Sequence, residues 1–130
     1  MREVSVKWSQ GPFAQDIQID GHRLRADEEA GKGGENTGPA PHELLLAALG
    51  SCTAMTLKVY AERKGWPLRD AQVTLNGAST DGRLEITRHI TLTGELDAEQ
   101  RQRLLEIADK CPVHKTLAGE IAIVTTERFA

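Results

Sequence analysis

The chain has 130 residues, a formal net charge of −3, 27% charged residues and only 4% aromatics. That length suits one domain and is enough to bury a core without disulfide staples. Its scattered Lys and Arg residues form no basic patch for nucleic acid, and so few aromatics offer no platform on which bases could stack.

The opening stretch, Met1-Arg2-Glu3-Val4-Ser5-Val6-Lys7-Trp8, alternates polar and apolar. It predicts a strand with Val4, Val6 and Trp8 on one face, and it lacks the unbroken apolar segment of a secretory signal. Gly11-Pro12 breaks it. Ile17 and Ile19 alternate next, and Asp20-Gly21 is a hairpin signal. The return strand, His22 to Asp27, sets Leu24 opposite Ile17 and Arg25 opposite Asp16. Residues 28–40, rich in glycine, read as a loop.

Pro41 to about Lys64 reads as one helix, apolar on most of its faces, which implies a buried central helix. Its apolar run Leu44–Leu49 is too short to cross a bilayer. The cytoplasm is the expected compartment. There, two cysteines are more often free, catalytic or redox-active than a structural disulfide.

Gly65-Trp66-Pro67 stops the helix. Val73 and Leu75 begin another strand, and Asp81-Gly82 turns it back. Leu84, Ile86, Ile90 and Leu92 share one face of a long strand, on which Arg88 is an interruption. An edge position or a bulge would let Arg88 reach water. Asp97-Ala98-Glu99-Gln100 has the form of a capping box. Leu104, Ile107, Ala108 and Cys111 come next on one helical stripe, which aims Cys111 inward. Pro112 opens a short helix ending at Gly119. Ile121 and Ile123, with Val124 nearby, predict a last strand. The order of elements is that of an α+β fold with a mainly antiparallel sheet, in a single domain over residues 1–130.

Cys52 lies about 15 Å into the long helix, too far for the helix N-terminus to favour a thiolate. A reactive Cys52 needs Arg, Lys or His brought from elsewhere; an inert one is a small core hydrophobe. Cys111, at the edge of the Pro112 helix, has free N–H groups beside it that lower a thiol pKa. Two inward-facing thiols that meet in space can attack a substrate and close to a disulfide. The single Cys111/His114 pair is too few ligands for a zinc site, so no metal is expected. Glu43 and His42 stand in the first helical turn, where an acid complements the helix dipole. Arg23 and Arg25 are strand residues open to solvent, or sources of a permanently charged guanidinium.

The segment Gly38-Pro39-Ala40-Pro41-His42-Glu43-Leu44-Leu45-Leu46-Ala47-Ala48-Leu49-Gly50-Ser51-Cys52-Thr53, taken with Ala108-Asp109-Lys110-Cys111-Pro112-Val113-His114, resembles the OsmC/Ohr family. These are the osmotically induced protein C and organic hydroperoxide resistance proteins. The resemblance implies an α+β fold with two long helices, formed as an intertwined homodimer. It further implies a cysteine-based peroxidase that reduces organic hydroperoxides and is recycled by a dithiol such as a lipoyl group, with no cofactor. Cys52 would attack and Cys111 resolve. In the peroxidase branches a Glu follows the proline and pairs with an Arg. Here His42 takes that place, and Glu43 lies about 100° further round the helix. Arg25, with Arg23 behind it, is the candidate partner. The displaced acid motivates an alternative: a small-molecule binding or stress protein of the same fold without turnover. Neither nucleic acid nor membrane is an expected partner.

Overall fold

A computed structural model describes residues 1–130 as two compact units, Met1–Ala47 and Ala48–Ala130. In the first, strands β1 (Val4–Trp8), β2 (Gln15–Ile19) and β3 (His22–Ala26) form an antiparallel sheet in that order. The alternation predicts the observed register: Leu24 pairs with Ile17, and Arg25 with Asp16. Asp20 takes a positive φ of 52° at the hairpin, a conformation that Asp tolerates better than most residues.

The loop after β3 is organised by one buried carboxylate. Asp27 accepts from the Glu28 N–H at 2.7 Å, the Thr37 N–H at 3.0 Å and the Thr37 hydroxyl at 2.6 Å. Its own N–H donates to the Pro39 carbonyl at 3.0 Å. The Thr37 hydroxyl above all, then the backbone N–H groups, hold the Asp27 carboxyl down at about 2.

Helix α1 (Pro41–Lys64) begins where this loop ends and continues into the second unit. Glu43 reaches back to accept from the Ala40 N–H at 2.7 Å, covering a donor that the helix leaves free. The second unit adds a long hairpin of β4 (Leu68–Thr80) and β5 (Arg83–Gly94), then α2 (Ala98–Ala108) and α3 (Pro112–Ala118). The capping box at Asp97 and Gln100 is formed in both directions. Leu57 and Ala61 of α1 pack with Leu104, Ile107 and Ala108 of α2 to make the core, flanked by Ile90 and Leu92 of β5. A Cβ on Gly50 would come within 2.8 Å of the Leu75 side chain, so α1 lies close on β4 there.

Three expectations are corrected. The central helix is not buried all round: it buries Leu49, Gly50, Thr53, Leu57 and Ala61, and exposes Leu45, Met55 and Val59. As one 24-residue element, α1 also has the length and apolarity of a membrane span, which the short run Leu44–Leu49 does not suggest. Finally, residues 119–130 form no strand, and Ile121, Ile123 and Val124 stand exposed. A strand needs a neighbour for its backbone groups, and this chain supplies none to that segment.

Candidate active site

The site lies in the second unit, where α1, β5 and the end of α2 converge on the start of α3. Thr53, next to Cys52 on α1, is fully buried. Cys111 is the N-cap of α3 and is also fully buried, its sulfur accepting from the His114 N–H at 3.3 Å. Pro112 keeps Cys111 extended, with φ −64° and ψ 140°, which turns the sulfur onto the free N–H groups of the helix. Cys52 is half-buried, carries no disulfide and lies within hydrogen-bonding reach of Cys111. The structure thus brings together the two cysteines, 59 positions apart in sequence.

Arg88 supplies the positive charge. On the core-facing side of β5, it pairs with Leu75 in unbroken register; the only ladder irregularity lies at Leu68/Asp70. The expectation that Arg88 escapes to water through an edge or a bulge therefore fails: its side chain is 12% exposed. Nη1 donates to the Thr53 hydroxyl at 3.0 Å, and Nη2 donates to Asp109 at 2.9 Å and to His114 Nδ1 at 3.1 Å. Because Arg only donates, this contact is a hydrogen bond in the His114 tautomer whose Nδ1 accepts. Asp109 is solvent-exposed, so this ion pair adds little stability, but it fixes the direction of the guanidinium.

Burial is the strongest influence on the Cys111 thiol and pushes it up. The His114 N–H, Cys52, Thr53 and the Arg88 charge together outweigh burial, and the thiol titrates below its ordinary 9.0.

Beside this cluster is a cleft of about 230 Å³, with Leu49, Leu84, Ile86, Leu117 and Ala118 as apolar walls and Arg88 and His114 as polar ones. No group of three or more metal-ligating side chains is present.

The other residues singled out in the sequence make their contacts in the first unit. Arg25 donates to the Ser9 hydroxyl at 2.9 Å and faces Asp16 at 3.7 Å. Glu43 caps α1. Sequence reasoning does not assemble Arg88, Thr53, Asp109 and His114 into one site. The available signal is Arg88 itself, a charge on an apolar strand face.

The family model for OsmC-like protein matches residues 33–126. The chain belongs to the OsmC-like family. Three solved structures share the fold. An OsmC-like protein from Mycoplasma pneumoniae is 17% identical with a TM-score of 0.80, covering 92% of this chain and 88% of that one. The organic hydroperoxide resistance protein OsmC from Legionella pneumophila is 18% identical with a TM-score of 0.72, covering 92% and 90%. An organic hydroperoxide resistance protein from Elizabethkingia anophelis, with thiocyanate bound, is 21% identical with a TM-score of 0.71, covering 92% and 89%. Among curated proteins, none matches the chain in sequence. The architecture is therefore the α+β OsmC-like fold, with antiparallel sheets and a long central helix.

Proposed function

We propose that this OsmC-like protein is a soluble, cytoplasmic thiol peroxidase that reduces organic hydroperoxides through Cys52 and Cys111. The observation that carries the reading is the thiol pair itself. One sulfur is half-exposed and the other fully buried, both free and within hydrogen-bonding reach beside the Arg88 guanidinium. Cys52, the reachable sulfur, attacks the terminal peroxide oxygen as a thiolate. The S–O bond forms, the O–O bond breaks, and the alkoxide leaves and takes up a proton as the alcohol. Cys52 is then a sulfenic acid. Cys111 attacks that sulfur; the disulfide forms, and hydroxide leaves with the Cys111 proton as water. An external dithiol, such as a dihydrolipoyl group, restores both thiols by exchange and leaves as its own disulfide.

The apolar walls of the neighbouring cleft favour a peroxide that carries a hydrocarbon group. Arg88 is the cation at this pair. Arg25 and Glu43 keep the β2–β3 register and the entry to α1 through the contacts they make. Exposed Leu45, Met55 and Val59 on α1 and the apolar 121–124 segment support a homodimer in which a second copy covers these faces. Sedimentation would show it as a species of twice the chain mass.

The deciding experiment measures consumption of an alkyl hydroperoxide by the purified protein with dihydrolipoamide. Turnover is expected, and it is expected to vanish in Cys52→Ser. Unchanged turnover in Cys52→Ser would refute the mechanism; no turnover in the parent protein would favour a binding role without catalysis.

A further inference from the structure

Thr53 makes three contacts through its single hydroxyl, as many as that group can serve at once. A threonine hydroxyl has one proton to give and two lone pairs to offer. Its proton goes to the Leu49 carbonyl at 2.7 Å, the back-bond usual for threonine inside a helix. One lone pair accepts from Arg88 Nη1 at 3.0 Å. The third neighbour is the Cys111 sulfur, at 3.9 Å. While Cys111 is protonated, its S–H can use the second lone pair. Once the thiol ionises, that donor is gone, and a full negative charge lies beside a hydroxyl whose proton points away from it.

The Leu49 carbonyl also sits within the helical ladder of α1, so release of the Thr53 proton leaves that carbonyl with its backbone partner. Arg88 stays on the Thr53 oxygen in either state, held from behind by Asp109 and His114, and polarises the O–H bond. The hydroxyl and the Cys111 sulfur are fully buried, so no solvent donor competes with this one.

We propose that the Thr53 hydroxyl is the thiolate-stabilising donor of the site: it turns from the Leu49 carbonyl to the Cys111 sulfur as that thiol ionises, and carries the influence of Arg88 to it. A purely structural threonine would keep the Leu49 bond and leave the titration of Cys111 unchanged. Besides Thr53, the groups facing Cys111 are Cys52 from α1, Arg88 from β5 and His114 from α3, and of these only Arg88 loses a partner when the Thr53 hydroxyl is removed. The inference rests on Cys111 being a reactive member of the pair. Its test reads ionisation rather than peroxide consumption, so it is decided separately from the peroxidase reading.

The test is a pH titration of thiolate ultraviolet absorbance in a Cys52→Ser background, where Cys111 is the only thiol. Thr53→Val keeps the shape and removes the hydroxyl, and is expected to raise the Cys111 midpoint by about one pH unit. Thr53→Ser keeps the hydroxyl and is expected to hold the parental midpoint. A Thr53→Val midpoint equal to the parent's overturns the proposal, as does a Thr53→Ser midpoint displaced as far as that of Thr53→Val. If Thr53→Val lacks a cooperative thermal transition, Thr53→Ala read against Thr53→Ser gives the same comparison. Arg88→Met is also expected to raise the midpoint, and the Arg88→Met, Thr53→Val pair to shift it by less than the two single shifts together. Full additivity would overturn the route from Arg88 through Thr53.

Discussion

Arg88 donates to the Thr53 hydroxyl at 3.0 Å, which ties the apolar face of β5 to the turn of α1 that carries Cys52. A guanidinium on such a face is costly to bury, and only Asp109, itself exposed, balances its charge. We expect Arg88→Leu to leave stability within about 1 kcal/mol of the parent, because an apolar side chain suits that face. Peroxide turnover should fall at least about tenfold, because the thiol pair loses the guanidinium beside it. Urea unfolding and hydroperoxide consumption on one preparation separate the two effects. A variant that lost stability and kept its rate would make Arg88 a structural residue.

Much of the fold is legible in local pattern. Period-two alternation sets β1 to β3 and their register, and the capping box and Pro112 set the starts of α2 and α3. Both are local effects, carried by residues within a few positions of one another. The thiol pair is legible in part: Cys111 follows the stripe of Leu104, Ile107 and Ala108, whereas Cys52 lies on a helix apolar on most faces, so packing sets its direction. Arg88 is not, because a charge on a strand face shows nothing of its partners. Asp109 and His114 come from α2 and α3, and only the packing of those helices against β5 makes a polar niche there. The expected 121–124 strand fails for a related reason, since alternation marks an apolar face but not what covers it.

Leu57 is fully buried where α1 meets α2 at Leu104. Leu57→Ala leaves a cavity that neighbours on two helices cannot both move to fill, and should cost about 2–5 kcal/mol. Denaturant titration should show a lower midpoint with an unchanged slope. A loss of under about 1 kcal/mol would mean that the core collapses around the gap.

Asp27 makes stability depend on acid. Its folded pKa of about 2 lies below the ordinary 3.8. A carboxylate depressed in the folded state adds stability that is complete above about 3.8 and lost as pH falls through about 2. Asp27→Asn should therefore melt below the parent at neutral pH, with the gap narrowing across that window. Thermal melts at several pH values check it; a gap that stays constant would remove Asp27 as its source.

The thiol pair makes the rate depend on base. Cys111 lies below its ordinary 9.0 because the His114 N–H, Cys52, Thr53 and Arg88 outweigh burial, the largest single influence. The Cys111 thiolate is the form that attacks the Cys52 sulfenic acid, so closure of the disulfide should speed up with pH and level off before 9.0. A rate still climbing above 9.0 would mean that an unassisted thiol limits the reaction.

Cys111 decides the fate of the first oxidation product. In the parent, one equivalent of hydroperoxide should give a Cys52–Cys111 disulfide, because the buried sulfur is already within reach of its partner. In Cys111→Ser the Cys52 sulfenic acid has no resolving thiol in its own chain. It should persist long enough to be trapped by a dimedone adduct at Cys52, and further peroxide should carry it to the sulfinic acid. Intact-mass and peptide spectra distinguish these products. The Cys52 adduct in Cys111→Ser, with the disulfide in the parent, fixes the order of attack. A sulfenic acid trapped on Cys111 in a Cys52→Ser chain, formed as fast as the parent is oxidised, would reverse it and make the N-cap sulfur the nucleophile.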